Sequence, residues 1–280
     1  MQIIRTVNEL REWTRADRYE TNTIGIVPTM GALHAGHASL IREARDACGC
    51  VVVSIFVNPT QFGPSEDYAR YPRSFEADCA LAESQGATLI FAPPVEEIYP
   101  GGAATFVEVE GLSNRLDGHS RPGHFRGVAT VVTKLLIATE ADLAFFGQKD
   151  AAQVAVLRRM VTDLRLPAQI VVCPIVREPD GLALSSRNAY LSAEERKHAL
   201  VLSHSVRHLE SMVASGERRG PVLINEARSI LAAEPGVRVD YVQLVNWDTL
   251  LPVDAATPGT LFAVAAWVGT TRLIDNTIIV

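Results

Sequence analysis

IGIVPTMGALHAGH, residues 24–37, is the stretch that decides the fold of this chain. Its first part is apolar and β-branched, which predicts a short buried strand, and its last part begins a helical pattern. A turn with a glycine joins the two, and His34 and His37 stand at the start of the helix. The first N–H groups of a helix lack partners within it and carry the positive end of its dipole. The junction is therefore typical of a phosphate-binding site.

Strand and helix patterns alternate along the rest of the first half. The predicted strands span residues 23–28, 51–57, 88–91, 142–146 and 169–173, and the predicted helices span residues 33–47, 73–85, 128–138 and 150–163. Residues 99–127 are rich in Gly, Pro and polar residues, which predicts an irregular stretch. Strands separated by helices indicate right-handed crossovers. We therefore expect an α/β fold with a Rossmann-like parallel sheet and helices on both of its faces.

The pattern changes after residue 176. Ser192 and Glu195 have the spacing of a capping box, which predicts a long helix from there to about residue 214. A second helix is predicted over residues 221–233, and strands over residues 238–245, 260–268 and 271–280. We expect a Rossmann-like domain of residues 1–176, followed by a smaller α+β domain of residues 177–280.

Composition excludes several classes of protein. The 280 residues carry a formal net charge of −6 with scattered basic residues, which argues against a nucleic-acid binder. No apolar run approaches the roughly 20 residues that span a bilayer, and the N-terminus lacks the apolar core of a signal peptide. The four cysteines lack zinc or redox spacing, so we expect free thiols. The expected location is the cytoplasm, with no membrane partner.

Four polar clusters accompany the predicted strands. They are Asn58–Gly63 (NPTQFG), Phe146–Asp150 (FGQKD), Leu184–Asn188 (LSSRN) and Gly118–Gly127 (GHSRPGHFRG). Ligands of open parallel sheets bind beyond the carboxyl ends of the strands. An amide there suits a hydroxy acid, and lysine, arginine and serine suit phosphate.

Each cluster also has a simpler interpretation. The histidines could be a surface pair, one of them capping a helix, or two metal ligands without an evident third. The NPTQFG segment could be a turn that ends a strand, and the Lys-Asp pair could be solvated. The serines could belong to an ordinary loop, as could the GHSRPGHFRG segment. The combination favours a nucleotide site.

Together these residues resemble the pantoate–β-alanine ligase (pantothenate synthetase) family of the HxGH nucleotidylyltransferase superfamily. His-x-Gly-His alone indicates only the superfamily, but the Asn-Pro-x-Gln-Phe and Ser-Ser-Arg-Asn blocks are specific to the ligase. The matching blocks are Pro28–His37, Ser54–Gly63, Arg121–Val128, Phe145–Asp150, Val176–Asn188 and Gly269–Asn276.

The resemblance implies a two-step ligase. ATP and Mg²⁺ would activate the carboxylate of (R)-pantoate as an acyl adenylate, and pyrophosphate would leave. The amine of β-alanine would then attack the adenylate to give pantothenate and AMP. The resemblance also implies a homodimer and a C-terminal domain that acts as a lid.

The same resemblance assigns residues. His34 and His37 would stabilise the phosphates, with His37 as proton donor. Gln61 and Gln153 would bind pantoate, and Gln61 would also face β-alanine. The remaining catalytic positions would be Lys149, Ser185, Ser186 and Arg187. Besides the histidines, the ATP site would comprise Met30, Gly31, Ala32, Leu33, Ala35, Gly36, Gly147, Gln148, Lys149, Asp150, Val176, Leu184, Ser185, Ser186 and Arg187.

The resemblance leaves other assignments weaker or open. Arg121 and His124 are weaker candidates near the site, and no metal ligand is assigned. Two other classes remain open from the residues alone. An adenylyltransferase would need a basic pocket for a phosphorylated substrate, and a nucleotide sensor or tRNA-binding relative would lack the chemistry.

Overall fold

A parallel sheet occupies the N-terminal part of the chain. The structure, a computed structural model, describes residues 1–21, 23–64 and 66–280, apart from the side chains of residues 19–21. Within these ranges the sheet has the order β1–β4–β3–β2–β5–β6, and all neighbouring strands are parallel. The strands are β1 (Gln2–Ile4), β2 (Ile24–Thr29), β3 (Cys50–Ile55), β4 (Leu89–Phe91), β5 (Leu143–Gly147) and β6 (Gln169–Cys173).

Helices connect these strands. They are α1 (Val7–Thr21), α2 (Ala35–Ala47), α3 (Phe75–Ser84), α4 (Val95–Ile98), α5 (Asp117–Ser120), α6 (His124–Thr139) and α7 (Ala151–Asp163). The strands in the middle of the sheet are buried on both faces, which explains their continuous apolar runs. Gly25 lets α2 pack closely on β2, because a Cβ there would lie 2.7 Å from the Sγ of Cys48.

A second sheet follows, with helices packed against it. It is antiparallel, with the order β7 (Val237–Asn246), β8 (Thr260–Val268) and β9 (Thr271–Ile278). The helices are α8 (Ala193–Ala214) and α9 (Gly220–Ala233). The Oγ of Ser192 accepts from the N–H of Glu195 at 3.2 Å, and the Glu195 carboxylate accepts from the N–H of Ser192 at 2.8 Å. The predicted capping box is confirmed.

Two compact units make up the described chain. One comprises Met1–Gly147 and Val156–Cys173, and the other comprises Gln148–Ala155 and Pro174–Val280. The first residues of α7 thus belong to the second unit. The domain boundary near residue 176 stays a prediction. Among the described residues, none of the helices combines the length and the apolar character needed to span a membrane.

The predicted α/β class with a smaller α+β part is confirmed, with some corrections to the elements. The five predicted strands of the parallel sheet end within two residues of the observed ones. The prediction that residues 99–127 are irregular is wrong at α5 and at the start of α6, which begins at His124. Four of the labelled elements, β1, α1, α4 and α5, were not predicted.

Candidate active site

Two histidines close the N-terminus of α2. His34 is the N-cap, with extended backbone at φ −138° and ψ 179°. Its Nδ1 accepts from the N–H of Gly36 at 3.1 Å, and the Nδ1 of His37 accepts from the N–H of His34 at 3.3 Å. The arrangement is a capping box in which imidazoles replace the usual hydroxyl and carboxylate. One histidine thus does cap the helix, as the simpler interpretation held.

The capping contacts also decide which ring nitrogen carries the proton. An Nδ1 that accepts an N–H cannot hold a proton in the neutral ring, so the proton lies on Nε2. The two rings lie side by side, with centroids 4.2 Å apart. Gly36 makes this possible, because a Cβ there would lie 2.9 Å from the Cε1 of His34. The motif therefore offers two Nε2–H donors at the positive end of a helix.

The loop before α2 has a strained backbone that a buried carboxylate holds in place. Gly31 and Ala32 have positive φ values of 85° and 51°. Asp78 of α3 is 2% exposed, and its two oxygens accept from the N–H groups of Ala32 at 3.0 Å and Leu33 at 2.7 Å. The hydroxyl of Ser74 also donates to Asp78, at 3.1 Å. Asp78 thereby fixes the direction in which the chain enters the helix.

These contacts bear on the predicted phosphate site. The N–H groups of His34 and Gly36 donate to the two imidazoles, and those of Ala32 and Leu33, in the loop before the helix, donate to Asp78. The phosphate site at this junction stays a prediction. Since these backbone donors have protein acceptors, the Nε2–H groups of the histidines are the donors that we propose for a phosphate.

A buried pair of amides follows β3. Asn58 and Gln61 are 1% and 9% exposed. The Nδ2 of Asn58 donates to the Oε1 of Gln61 at 3.0 Å and to the carbonyl of Gly127 at 3.2 Å. The Oδ1 of Asn58 accepts from the hydroxyls of Thr60 and Tyr99. Asn58 thus binds the carbonyl end of Gln61 and fixes the orientation of its amide.

The fixed amide of Gln61 reaches the loop of residues 30–37. Its Nε2 donates to the Sδ of Met30 at 3.1 Å. The NPTQFG segment is thus both the turn that the simpler interpretation expected and a directed amide donor. Within the first unit the structure thus brings Gln61 into contact with Met30, and His34 into contact with His37.

Arg121 and His124 support this turn. An arginine can only donate, so the 2.9 Å contact between Nη1 of Arg121 and Nε2 of His124 makes that nitrogen an acceptor. The Nδ1 of His124 then donates to the carbonyl of Gln61, also at 2.9 Å. Burial, and secondly the charge of Arg121, lower the pKa of His124 to about 4, so its ring is neutral at pH 7. Arg121 also forms a double ion pair with Glu66 at 2.6 and 2.8 Å.

Gly147 is the last residue of the first unit before the chain crosses over, and the predicted residues from Gln148 to Gln153 and from Val176 to Arg187 lie in the second unit. Lys149 and Gln153 are partly buried, whereas Asp150 is exposed. Ser185 caps a helical turn, and its Oγ accepts from the N–H of Arg187 at 3.3 Å. The carbonyl of Val176 accepts from the N–H of Leu184 at 2.9 Å, which closes the loop between them.

Sequence reasoning missed two groups of supporting residues. Asp78, in a helix that carries no motif, accepts hydrogen bonds from the loop that precedes α2. Asp275 and Asn276 lie in the recognised GTTRLIDN block, but the block itself gave them no role. Their contacts join segments distant in sequence, so no local pattern could have identified them.

The comparison with known families decides the assignment. The family model described as Pantoate-beta-alanine ligase matches residues 2–278. The chain belongs to the pantoate–β-alanine ligase family. The family predicted from the motifs is therefore confirmed, together with the ligase class.

Individual relatives agree with this family. A curated pantothenate synthetase from Acidobacterium capsulatum is 57% identical, covering 100% of this chain and 97% of the relative. One from Thermotoga petrophila is 54% identical, covering 100% of both. The crystal structure of pantothenate synthetase from Thermus thermophilus has a TM-score of 0.94 at 47% identity, covering 100% of this chain and 99% of that one.

A further solved relative carries ligands. It is the pantoate-beta-alanine ligase from Francisella tularensis, complexed with beta-gamma ATP and beta-alanine. It is 34% identical with a TM-score of 0.80, covering 99% of this chain and 97% of that one.

Proposed function

We propose that this chain joins (R)-pantoate to β-alanine and consumes ATP in two steps. First, a carboxylate oxygen of pantoate attacks the α-phosphorus of ATP, and the bond from that phosphorus to pyrophosphate breaks. The amine nitrogen of β-alanine then attacks the acyl carbon, AMP leaves, and the nitrogen loses a proton. Family membership and the relative crystallised with beta-gamma ATP and beta-alanine support this proposal.

One observation carries the proposal. The Gln61 amide lies 3.1 Å from the Sδ of Met30, in the loop that leads into the two histidines. An acid held by the Gln61 donor would therefore lie beside the loop proposed to bind ATP. Holding two reactants side by side converts a bimolecular step into an effectively unimolecular one.

The histidines are proposed to act on the leaving group. Negative charge grows on pyrophosphate as its bond to the α-phosphorus breaks. Preorganised Nε2–H donors of His34 and His37 would stabilise that charge more than they stabilise bound ATP, which lowers the barrier. His37 is the proposed proton donor.

Residues of the second unit are also proposed to bind ATP and pantoate. Lys149 and Arg187 would supply cationic donors to the β- and γ-phosphates, and Ser185 and Ser186 would supply hydroxyls. Gln153 is a proposed pantoate residue, as is Gln61, which is also proposed to face β-alanine. The remaining proposed ATP contacts are Gly31, Ala32, Leu33, Ala35, Gly36, Gly147, Gln148, Asp150, Val176 and Leu184.

Three further parts of the prediction remain proposals. Mg²⁺ is proposed to arrive with ATP, held by phosphate oxygens and water. Among the described residues, no three His, Cys, Asp or Glu side chains form a group that could hold a metal ion, and we assign it no protein ligand. A homodimer and a cytoplasmic location are also proposed.

Exchange of labelled pyrophosphate into ATP tests the function. We expect exchange that requires pantoate but not β-alanine, and pantothenate formation once β-alanine is added. Exchange without pantoate would contradict the proposal. Exchange that requires a phosphorylated substrate would indicate an adenylyltransferase, and nucleotide binding without any exchange would indicate a sensor.

A further inference from the structure

Two buried polar residues in β9 have no role in the function proposed so far. Asp275 and Asn276 are 2% and 3% exposed. Burying a carboxylate or an amide costs free energy unless its hydrogen bonds are satisfied. The partners of these two side chains therefore indicate what they stabilise.

Asn276 binds the turn that carries Lys149. Its Nδ2 donates to the backbone carbonyls of Gln148 at 3.0 Å and Lys149 at 2.9 Å. Its Oδ1 accepts from the Nε2 of Gln148 at 3.2 Å. One buried amide thus holds both peptide groups from which the Lys149 side chain projects.

Asp275 binds the loop that leads to Ser185. Its two oxygens accept from Nη1 and Nη2 of Arg177 at 2.6 and 2.9 Å. Arg177 also donates from Nη1 to the carbonyl of Gly181 at 3.1 Å. Burial lowers the pKa of Arg177, but the hydrogen bonds and charge of Asp275 outweigh burial and raise it. This ion pair ties the loop to β9.

The two residues are neighbours in one strand, so their side chains leave it on opposite faces. The backbone N–H of Asn276 also donates to Asp275 at 2.8 Å, which links the two sets of contacts. All of these residues lie in the second unit. One short segment of β9 therefore holds both the turn with Lys149 and the loop that ends in Ser185, Ser186 and Arg187.

We infer that Asp275 and Asn276 are positioning residues that fix the spacing between the two phosphate-binding segments of the second unit. This inference rests on the proposed function, in which Lys149 and the Ser185–Arg187 segment hold the β- and γ-phosphates. With both segments anchored to β9, Lys149 and the hydroxyls of Ser185 and Ser186 keep a constant separation. ATP binding then does not have to order these groups first.

The substitution Asn276→Asp tests the inference. An aspartate still accepts from Gln148 but cannot donate to the two carbonyls. We expect the KM for ATP to rise about tenfold and the kcat of pantoate-dependent pyrophosphate exchange to fall about tenfold, since small displacements of positioned groups have effects of this order. The KM for pantoate should change less than about twofold, because pantoate is not held by phosphate donors.

Thr277→Val is the matched control. Thr277 follows Asn276 in the same strand, and the substitution removes the 2.6 Å hydrogen bond that its hydroxyl donates to Glu210. It should lower the unfolding temperature without changing the KM for ATP. If both variants lose stability and neither changes that KM, Asn276 is only structural and the inference is wrong.

Two further measurements separate the possible failures. If Asn276→Asp does not fold, the smaller substitution Asn276→Ser is used with the same criteria. If the unsubstituted protein shows no pantoate-dependent exchange, the proposed function fails. A direct titration of ATP binding then decides the inference, which predicts an affinity about tenfold weaker in the variant.

Discussion

His34 and His37 each have a structural contact and a proposed chemical role. Nδ1 of each ring completes the start of α2, and this contact leaves the proton on Nε2. A hydroxyl or carboxylate cap would satisfy the same backbone groups but would offer no nitrogen donor. The proposed reaction therefore accounts for a histidine at the cap, which helix stability alone does not require.

Replacing His37 with glutamine separates the two roles. Glutamine at this position of a capping box can still accept from the His34 N–H. We expect His37→Gln to keep the unfolding free energy within about 0.5 kcal/mol of the unsubstituted protein, whereas His37→Ala should lose about 1 kcal/mol. Both should lower the rate of pantoate-dependent exchange by about 10²-fold or more. An unchanged rate in His37→Gln would remove the imidazole from the mechanism. The control is His119→Gln, which replaces an exposed histidine.

Gln61 should discriminate between the substrates. Gln61→Ala removes the amide that Asn58 orients, and we expect the KM for pantoate to rise by more than the KM for ATP. Steady-state kinetics with each substrate varied in turn measure the two effects. Equal changes in both constants would contradict the assignment. Gln169→Ala, an exposed glutamine in β6, should change neither.

At the scale of elements, burial explains which parts the sequence could predict. The strands β2 and β3 are buried on both faces, so their apolar runs are unambiguous. The strand β1 has three residues, of which only Ile4 is buried, which is too short a pattern to predict. The helix α6 begins early because Gly123, at φ 83°, turns the chain directly into it.

The same reasoning applies to the site. The motifs around His34, Gln61, Lys149 and Ser185 could be found because each follows a predicted strand or lies in a loop between predicted elements. The acceptor at Asp78 could not be found, since it comes from another helix and is 46 residues from Ala32. Sequence thus predicted the groups proposed to touch substrate better than the groups that hold them.

Asp78 should control how the loop enters α2. In the unsubstituted protein the two oxygens of Asp78 accept from the N–H groups of Ala32 and Leu33. Asp78→Asn leaves only one oxygen for these two donors. A buried N–H without a partner costs about 1–3 kcal/mol, so the unfolding free energy should fall by that amount. The rate of pyrophosphate exchange should fall as well, because the loop no longer fixes the start of α2 and with it the positions of the two imidazoles. Ser74→Ala, which removes only the third contact, is the control; equal loss of activity in both variants would refute this role.

At the scale of the whole molecule, the buried His124 makes stability depend on pH. Its pKa is about 4 in the folded protein and about 6.5 in an unfolded chain. Below pH 6.5 the unfolded state takes up a proton that the folded state does not, so stability falls as the pH drops from 6.5 towards 4. At pH 7 the ring is neutral in both states, so the buried position costs no protonation free energy there.

Urea unfolding at pH 7 and pH 5 measures this effect. His124 should account for about 2 kcal/mol of the stability lost between these pH values. His124→Asn should therefore show a smaller loss than the unsubstituted protein, although it is less stable at pH 7. His119→Gln, which replaces an exposed histidine, should keep the full dependence. The same loss in all three proteins would show that other groups cause it.

The path of the chain through its two units limits how this enzyme can be recombined. The chain crosses from one unit to the other after Gly147, Ala155 and Cys173. A chimaera joined at a single point near residue 176 would combine the Lys149 turn of one parent with the Asn276 of another. It would also combine Ala151 of one parent with Trp247 of the other, although the Trp247 indole N–H donates to the Ala151 carbonyl at 3.0 Å. Residues 148–155 and 174–280 should therefore be inherited together when functional hybrids are made from relatives.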